Sequence, residues 1–477
     1  MNGTLARAWK ACLLAGAVSL SGCSYLNDVT DAVLPRSAPA AGQVGNVQGF
    51  LGGVVADEPK AALTGRVVLS SGGTAADAAT AMGLMLGVTL PSRAGLAAGG
   101  GCLVYAPSPD GPNGGTPEAL MFPTSAPGKP GSADRPASPP MFVRALFALQ
   151  ARYGRLPFEQ LIAPAEEAAR FGVSASRALV TDLSVVARPL AVDPVARSVF
   201  YYGSQPLSEG SSFIQPDLAA TLGTLRTAGV GDLYVGQLAK RLIAAQPAAG
   251  GGLSDEDLRK ALPKFVPALT APGSNGDRIA FLPLPIDGGL AAVGALQVLG
   301  RNIAATEEAN TRALALATLA RSGGTDVSGM LAAPQPAPMI GALPASTTFA
   351  AMDKDGNAVV CAVSMGNLFG TGRIARGTGL LQAASPSRKP QPLLSVAMSW
   401  SPERRAFHGL AGGSGQQGAP LAAAVGLFDG FGGHLPSRPP EPGRANVIAC
   451  PGYLPGSSGS CSWSTDPRGS GLAIGSN

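Results

Sequence analysis

Ser346-Thr-Thr-Phe-Ala-Ala-Met-Asp-Lys-Asp-Gly356 places three adjacent hydroxyls directly before an apolar, strand-like run and an Asp-Gly turn. A hydroxyl is a weak nucleophile unless a base is held beside it, and a chain cut before such a residue supplies that base as its own new α-amino group. The stretch therefore reads in two ways: as a polar loop entering a β-hairpin, or as a nucleophile that the chain exposes by cutting itself.

Working outward, the chain after Ala345 reads mostly as strands, over Thr347 to Met352, Ala358 to Val363, Leu393 to Met398 and Ala406 to Leu410. Before it, Gly72 to Gly87 reads as a helix opened by a glycine turn, with small residues that allow close packing. A glycine-rich turn at Leu96 to Gly101 leads into a strand, Cys102 to Tyr105, and Pro107 to Pro140 reads as a long Pro/Gly/Ser loop. Apolar residues recur at helical spacing from Met141 to Ala191, and further helices follow to about Leu262. Arg278 to Leu284 returns to strand and Gly288 to Leu299 to helix. Alternating blocks of this kind predict a layered α/β fold. No internal repeat is present.

The 477 residues suffice for one large domain or two ordinary ones. Arg7 and Lys10 precede an apolar run, Ala11 to Leu20, and then Leu20-Ser-Gly-Cys23. This resembles a bacterial lipoprotein signal, with residues 1–22 removed and Cys23 lipidated. The run is too short to span a bilayer, whereas a cysteine carrying more than one acyl chain anchors stably. By the sorting rules of such lipoproteins, Ser24 after the cysteine points to the outer membrane, facing the periplasm. Residues 23–60, rich in Ala, Pro, Gly and Ser, read as a tether. Cys450 and Cys461 bracket a Pro/Gly/Ser loop and are expected to form a disulfide in an exported compartment. Cys102 and Cys361 each lie in an apolar run and are expected as buried free thiols.

Net charge is +5 and charged residues make up 14% of the chain, with no basic run or aromatic-interleaved patch, which argues against a nucleic-acid partner. His408 and His434 are the only histidines, so a histidine-ligated metal site is not expected. A serine hydrolase triad centred on Ser414 would need one of them, and Gly412-Gly-Ser-Gly-Gln416 lacks the last glycine of GxSxG. Gly413-Ser-Gly-Gln-Gln-Gly418 matches GxGxxG but has no early βαβ unit around it.

Several stretches, in order, resemble the γ-glutamyltransferases, a family of N-terminal nucleophile enzymes with an αββα four-layer sandwich. They are Gly72-Gly-Thr-Ala-Ala-Asp-Ala-Ala79, Leu96 to Val104, Tyr153 to Pro157 with Leu161 to Ala165, Gly251 to Leu258, Leu284 to Gly289, and Asp466-Pro-Arg-Gly-Ser-Gly471. The resemblance runs from about residue 60 to the end. It implies one αββα domain made of a large segment, 61–345, and a small segment, 346–477, separated by self-cleavage between Ala345 and Ser346. Ser346 stands at the family's nucleophile position, and Thr347 takes that place if the match shifts by one. Ser364 falls where the family has a hydroxyl assisting cleavage. Gly412 and Gly413 fall where two amides form an oxyanion hole, physically reasonable if they sit at a strand-to-helix turn with amides free. Amide attack needs only nucleophile, base and oxyanion donors, so no cofactor is implied.

The match fails where the family grips its γ-glutamyl donor. Its carboxylate-binding arginine corresponds to Pro123. Its asparagine corresponds to Gly366, with Asn367 adjacent, and its acidic residue corresponds to the region around Arg388. Of two donor-contacting serines, only Ser395 remains, beside Leu394. Losing one partner of a buried charge pair costs about 2 to 5 kcal/mol, so glutathione is not the expected donor. Two functions follow: a self-processing amide hydrolase or acyltransferase acting on a small amide or peptide, or an inactive relative serving as a binding or structural module of the envelope.

Overall fold

The structure is a computed structural model and describes residues 39–129, 133–333, 338–387 and 390–475. The signal segment 1–22, Cys23, Ser24, the tether up to residue 38, and Arg388 lie outside the described residues.

Two antiparallel sheets are stacked between helical layers. The elements are β1 (Gly52–Ala56), α1 (Pro59–Ser70), α2 (Ala75–Thr89), β2 (Gly99–Tyr105), β3 (Glu118–Phe122), α3 (Phe142–Tyr153), α4 (Phe158–Phe171), β4 (Lys264–Pro267), β5 (Leu269–Pro272), β6 (Arg278–Phe281), α5 (Asp287–Leu299), α6 (Thr306–Arg321), β7 (Thr347–Asp353), β8 (Ala358–Ser364), β9 (Ser395–Ser401), β10 (Ala406–Ser414), α7 (Ala419–Gly432), β11 (Arg444–Leu454), β12 (Ser462–Ser464) and β13 (Leu472–Gly475). Among the described residues the first sheet runs β13-β1-β7-β8-β2-β3-β4 and the second β12-β11-β10-β9-β6-β5. Further helices and short hairpins between α4 and β4 extend the first helical layer.

Side chains of a strand alternate between its faces, and this alternation divides the core into three apolar layers. Phe349, Ala351, Val359, Cys361 and Val363 face α2 and α3, and α4 packs against α2 in the same apolar layer. Their neighbours Ala350, Met352, Ala358, Val360 and Ala362 pack against Val396, Met398, Leu410 and Ile448 of the second sheet. On that sheet's far face, Ala397, Ala411 and Val447 meet α5 and α7. The result is the αββα sandwich.

Helix α2 shows why the chain builds this way locally. Thr74 and Asp77 form a reciprocal capping box, and every residue of the helix is buried. Burying each Leu or Met there contributes roughly 1.5 to 3 kcal/mol. A Cβ at Gly83 would lie 2.7 Å from the Leu146 side chain, so the small residue sets the crossing with α3. Asp353 then joins helix to sheet. Its carboxylate accepts Ala75 N, at 2.9 Å, and the backbone amides of Asp355 and Asn357. Burial holds its pKa above the ordinary carboxylate value. The Asp-Lys-Asp-Gly turn is thus also the anchor of α2.

Three sequence expectations are corrected. Gly52–Ala56, inside the stretch read as tether, is a strand of the first sheet, paired with β7 from Gly52↔Asp353 to Ala56↔Phe349; its glycines disguised a short buried strand. Glu118–Phe122, within the long loop, is a strand beside β2. Cys102 and Cys361 are not free thiols but a disulfide, because the β8–β2 register sets them directly opposite each other. Cys450 and Cys461 are paired as expected. No described helix is long and apolar enough to cross a membrane, and no group of three or more His, Cys, Asp or Glu among the described residues could hold a metal ion.

Candidate active site

Strands β7 and β8 pair with Thr347 opposite Val363, and carrying that register one residue further sets Ser346 opposite Ser364. Both belong to the inter-sheet face, in step with Thr348 and Ala350 on one strand and Ala362 and Val360 on the other. Ser346 is buried. The Ser364 hydroxyl donates to the carbonyl oxygen of Ala345 at 2.6 Å and accepts the amide of Gly366 at 3.0 Å. A donor therefore already rests on the carbonyl of the Ala345–Ser346 peptide bond.

Thr347 lies on the opposite face, and its hydroxyl donates to Asp57 Oδ2 at 2.7 Å. The same carboxylate oxygen accepts Thr348 N at 3.2 Å. Asn446 Nδ2, reaching from β11, donates to Asp57 Oδ1 at 2.8 Å, to Thr348 Oγ1 at 2.8 Å and to Thr348 O at 3.0 Å. On the other side of the bond, Gln416 Nε2 donates to Leu343 O and Gln417 Nε2 to Gly341 O, each at 3.0 Å. Sequence reading missed these four residues. A signal existed for Asn446: alternation along β11 puts this polar residue on the same buried face as Ile448.

Gly412 and Gly413 do not sit at a turn. Strand β10 continues through Ser414, with Gly412 opposite Val396 and Asn446, and Gly413 opposite Ser395 and Ala445. In an antiparallel ladder the amides lie in the sheet plane and point at neighbouring strands, so the expected free oxyanion donors are not presented. Packing requires the glycines instead. A Cβ on Gly412 would lie 2.7 Å from Thr348 Cβ, and one on Gly413 would lie 2.0 Å from Ala419 O. The GxGxxG reading fails for a similar reason: the spaces beside Gly415 and Gly418 are filled by the backbone of Pro442 and Gly443.

Ser395 is also redirected. It alternates with Leu393 and Ala397 toward the α5 layer, and its buried hydroxyl donates to Gly288 O at 3.0 Å. It does not share the face of Ser346, so it is corrected from a substrate contact to a tie between β9 and α5. Asn367 does border a cavity. Just past Ser364, it lines a space of about 300 Å³ with Asp134, Arg135, Thr371, Ala384 and Ser385. Asp134 is engaged by Arg373 at 2.8 Å, while Arg135 Nη1 donates to Thr371 O. Pro123 brings no guanidinium. Beside it, Thr124 and Gln391 hydrogen-bond each other.

The triad around Ser414 is not assembled. His408 lies six residues away along β10, about 20 Å at ordinary strand rise. Its Nδ1 is 2.5 Å from Asp277 Oδ2, and its ring stacks between Phe431 and Tyr453. Burial pushes its pKa down, against the pull of Asp277.

A family model described as gamma-glutamyltranspeptidase matches residues 61–322, more than half of the 477. Glutathione hydrolase 3 of Arabidopsis thaliana is 31% identical over 251 residues, covering 50% of this chain and 39% of that protein. The glutathione hydrolase proenzyme of Escherichia coli strain K12 is 26% identical over 386 residues, covering 69% of this chain and 65% of that protein. The chain thus spans less than two thirds of these relatives' lengths. In fold it is similar to cephalosporin acylase from Bacillus halodurans, with a TM-score of 0.72 at 19% identity over 93% of this chain and 99% of that one.

Proposed function

The chain belongs to the γ-glutamyltranspeptidase family, and on that premise we propose that it is a self-processing amide hydrolase or acyltransferase with Ser346 as its nucleophile. The observation that carries this reading is the hydrogen bond from Ser364 to the Ala345 carbonyl, directly beside an inter-sheet serine. In processing, Ser346 Oγ attacks the Ala345 carbonyl carbon. The C–N bond breaks, an ester forms, and the Oγ proton passes to the departing nitrogen. Water then cleaves the ester, leaving the Ala345 carboxylate, the Ser346 hydroxyl and a free α-amine. That amine serves as base when the hydroxyl attacks a donor amide, and the acyl group passes to water or to an acceptor amine. The cavity beside Asn367 is the proposed donor pocket. With Pro123 in place of the arginine, the donor is not glutathione but a less charged small amide or peptide.

Intact mass of the denatured protein tests this. Cys102 belongs to the large segment and Cys361 to the small one, so the cut protein stays joined until it is reduced. The expected result is one species without reductant, heavier than the uncut chain by one water, and two species with reductant, the smaller beginning at Ser346. A reduced sample that remains a single chain overturns the reading. It would favour the second one, an uncut binding or structural module of the envelope, for which Pro123 speaks.

We also propose that Cys23, in Leu20-Ser-Gly-Cys23, is lipidated and that this attachment holds the protein in the cell envelope. Protein recovered from membranes is expected to carry acyl mass on an N-terminal peptide beginning at Cys23. An unmodified N-terminal peptide would remove the anchor.

A further inference from the structure

Resting on the reading of Ser346 as nucleophile, we infer that the cleavage site is gripped from two sides by devices with different lifetimes. Gln416 and Gln417 hold the segment that leaves, and Asp57 with Asn446 holds the nucleophile that stays.

The downstream grip follows from how the first sheet ends. Strand β1 pairs with β7 as far as Ala56↔Phe349, and the next step of that register sets Asp57 opposite Thr348. The backbone cannot continue there, since Glu58 caps α1 through Ala61 N and Pro59 opens the helix. The Asp57 side chain supplies the missing acceptor, taking Thr348 N and the Thr347 hydroxyl. Asn446 then ties Asp57 and Thr348 to the second sheet. Without this substitution, the first residues of β7 would be laddered only to β8. That would matter most after cleavage, when Ser346 becomes a chain end and ends fray. Charge-assisted hydrogen bonds to a carboxylate are about twice as strong as neutral ones, which suits a terminal anchor.

The upstream grip is of another kind. Leu343 O and Gly341 O are held by two glutamine side chains, and with Ala345 O on Ser364 every second carbonyl from Gly341 to Ala345 is bound by a side chain. Side-chain contacts to a segment outside either sheet can be given up once the bond is cut. Asp57 and Asn446 lie on the other side of that bond and remain.

The two devices predict different phenotypes. In the full chain, Gln416→Ala and Gln417→Ala together are expected to slow self-cleavage about 10- to 100-fold, the scale of a misplacement of about 1 Å. Material that has been cut should then react with a fluorophosphonate at Ser346 at the wild-type rate. Asp57→Asn, nearly isosteric, is expected to slow both cleavage and labelling, without a matching fall in melting temperature. Double substitution with Thr347→Val should be less than additive, because the two groups share one hydrogen bond. Amide exchange over residues 346–349 in the uncut Ser346→Ala chain, with and without Asp57→Asn, reads the anchor without needing chemistry, and exchange at least ten times faster in the double variant is expected. Equal exchange overturns the anchor. Equal slowing of labelling by the glutamine and aspartate variants overturns the difference in lifetimes. A wild type that never cuts overturns the nucleophile reading, and the exchange measurement still decides the anchor.

Discussion

Replacing Ser346 by alanine is expected to leave one uncut chain after reduction and to abolish labelling at this position, while Ser346→Thr still cuts. Removing the attacking hydroxyl of a serine hydrolase costs on the order of 10⁶ in kcat, so residual processing should be undetectable over days. Thr347→Val is the informative companion. Thr347 faces away from the inter-sheet space and gives its hydroxyl to Asp57, so its loss should slow cleavage without moving the cut. Mass spectrometry of the reduced small segment decides between the two hydroxyls: a first residue of Thr347 in wild type, or an uncut Thr347→Val chain, would transfer the role.

Ser364→Ala is expected to slow self-cleavage by about 10²- to 10³-fold, the usual cost of deleting one donor aimed at a developing oxyanion. The hydroxyl sits 2.6 Å from the oxygen that must take up negative charge. Its bond to Gly366 N means that some local stability is lost as well, typically about 1 kcal/mol. Ser364→Thr separates the two effects, because it restores a donor at the same strand position. Cleavage rates should be measured by quantifying intact and cut chain against time after refolding. If the alanine variant cuts as fast as wild type, the hydrogen bond serves the strand end alone, and another group must stabilise the oxyanion.

Wherever the chemistry was written within one strand or one turn, it was legible in the residues. Short apolar runs on either side of the Asp-Gly turn marked β7 and β8, and the glycine turn before Thr74 marked the start of α2. The three adjacent hydroxyls drew attention to residues 346–348, the family resemblance pointed to Ser346 among them, and the Pro/Gly/Ser loop between Cys450 and Cys461 suggested their pairing, which is present. Such features depend on neighbours a few bonds away, and so they survive in a linear reading.

What the tertiary structure decided are pairings across strand order and layer stacking. Cys102 and Cys361 are 259 residues apart and meet only because β2 and β8 are adjacent in register. Asp57 and Thr347 are 290 residues apart, and Asn446 reaches both sheets from a strand whose neighbours no local pattern names. Gly412, Gly413 and Ser395 were legible as residues of note but not as to direction: β10 stays paired with β9 and β11 through both glycines, and β9 turns Ser395 toward the α5 layer. A strand's sequence states which side chains alternate. Which of its two faces meets the other sheet, and what stands opposite, is settled only when the layers close.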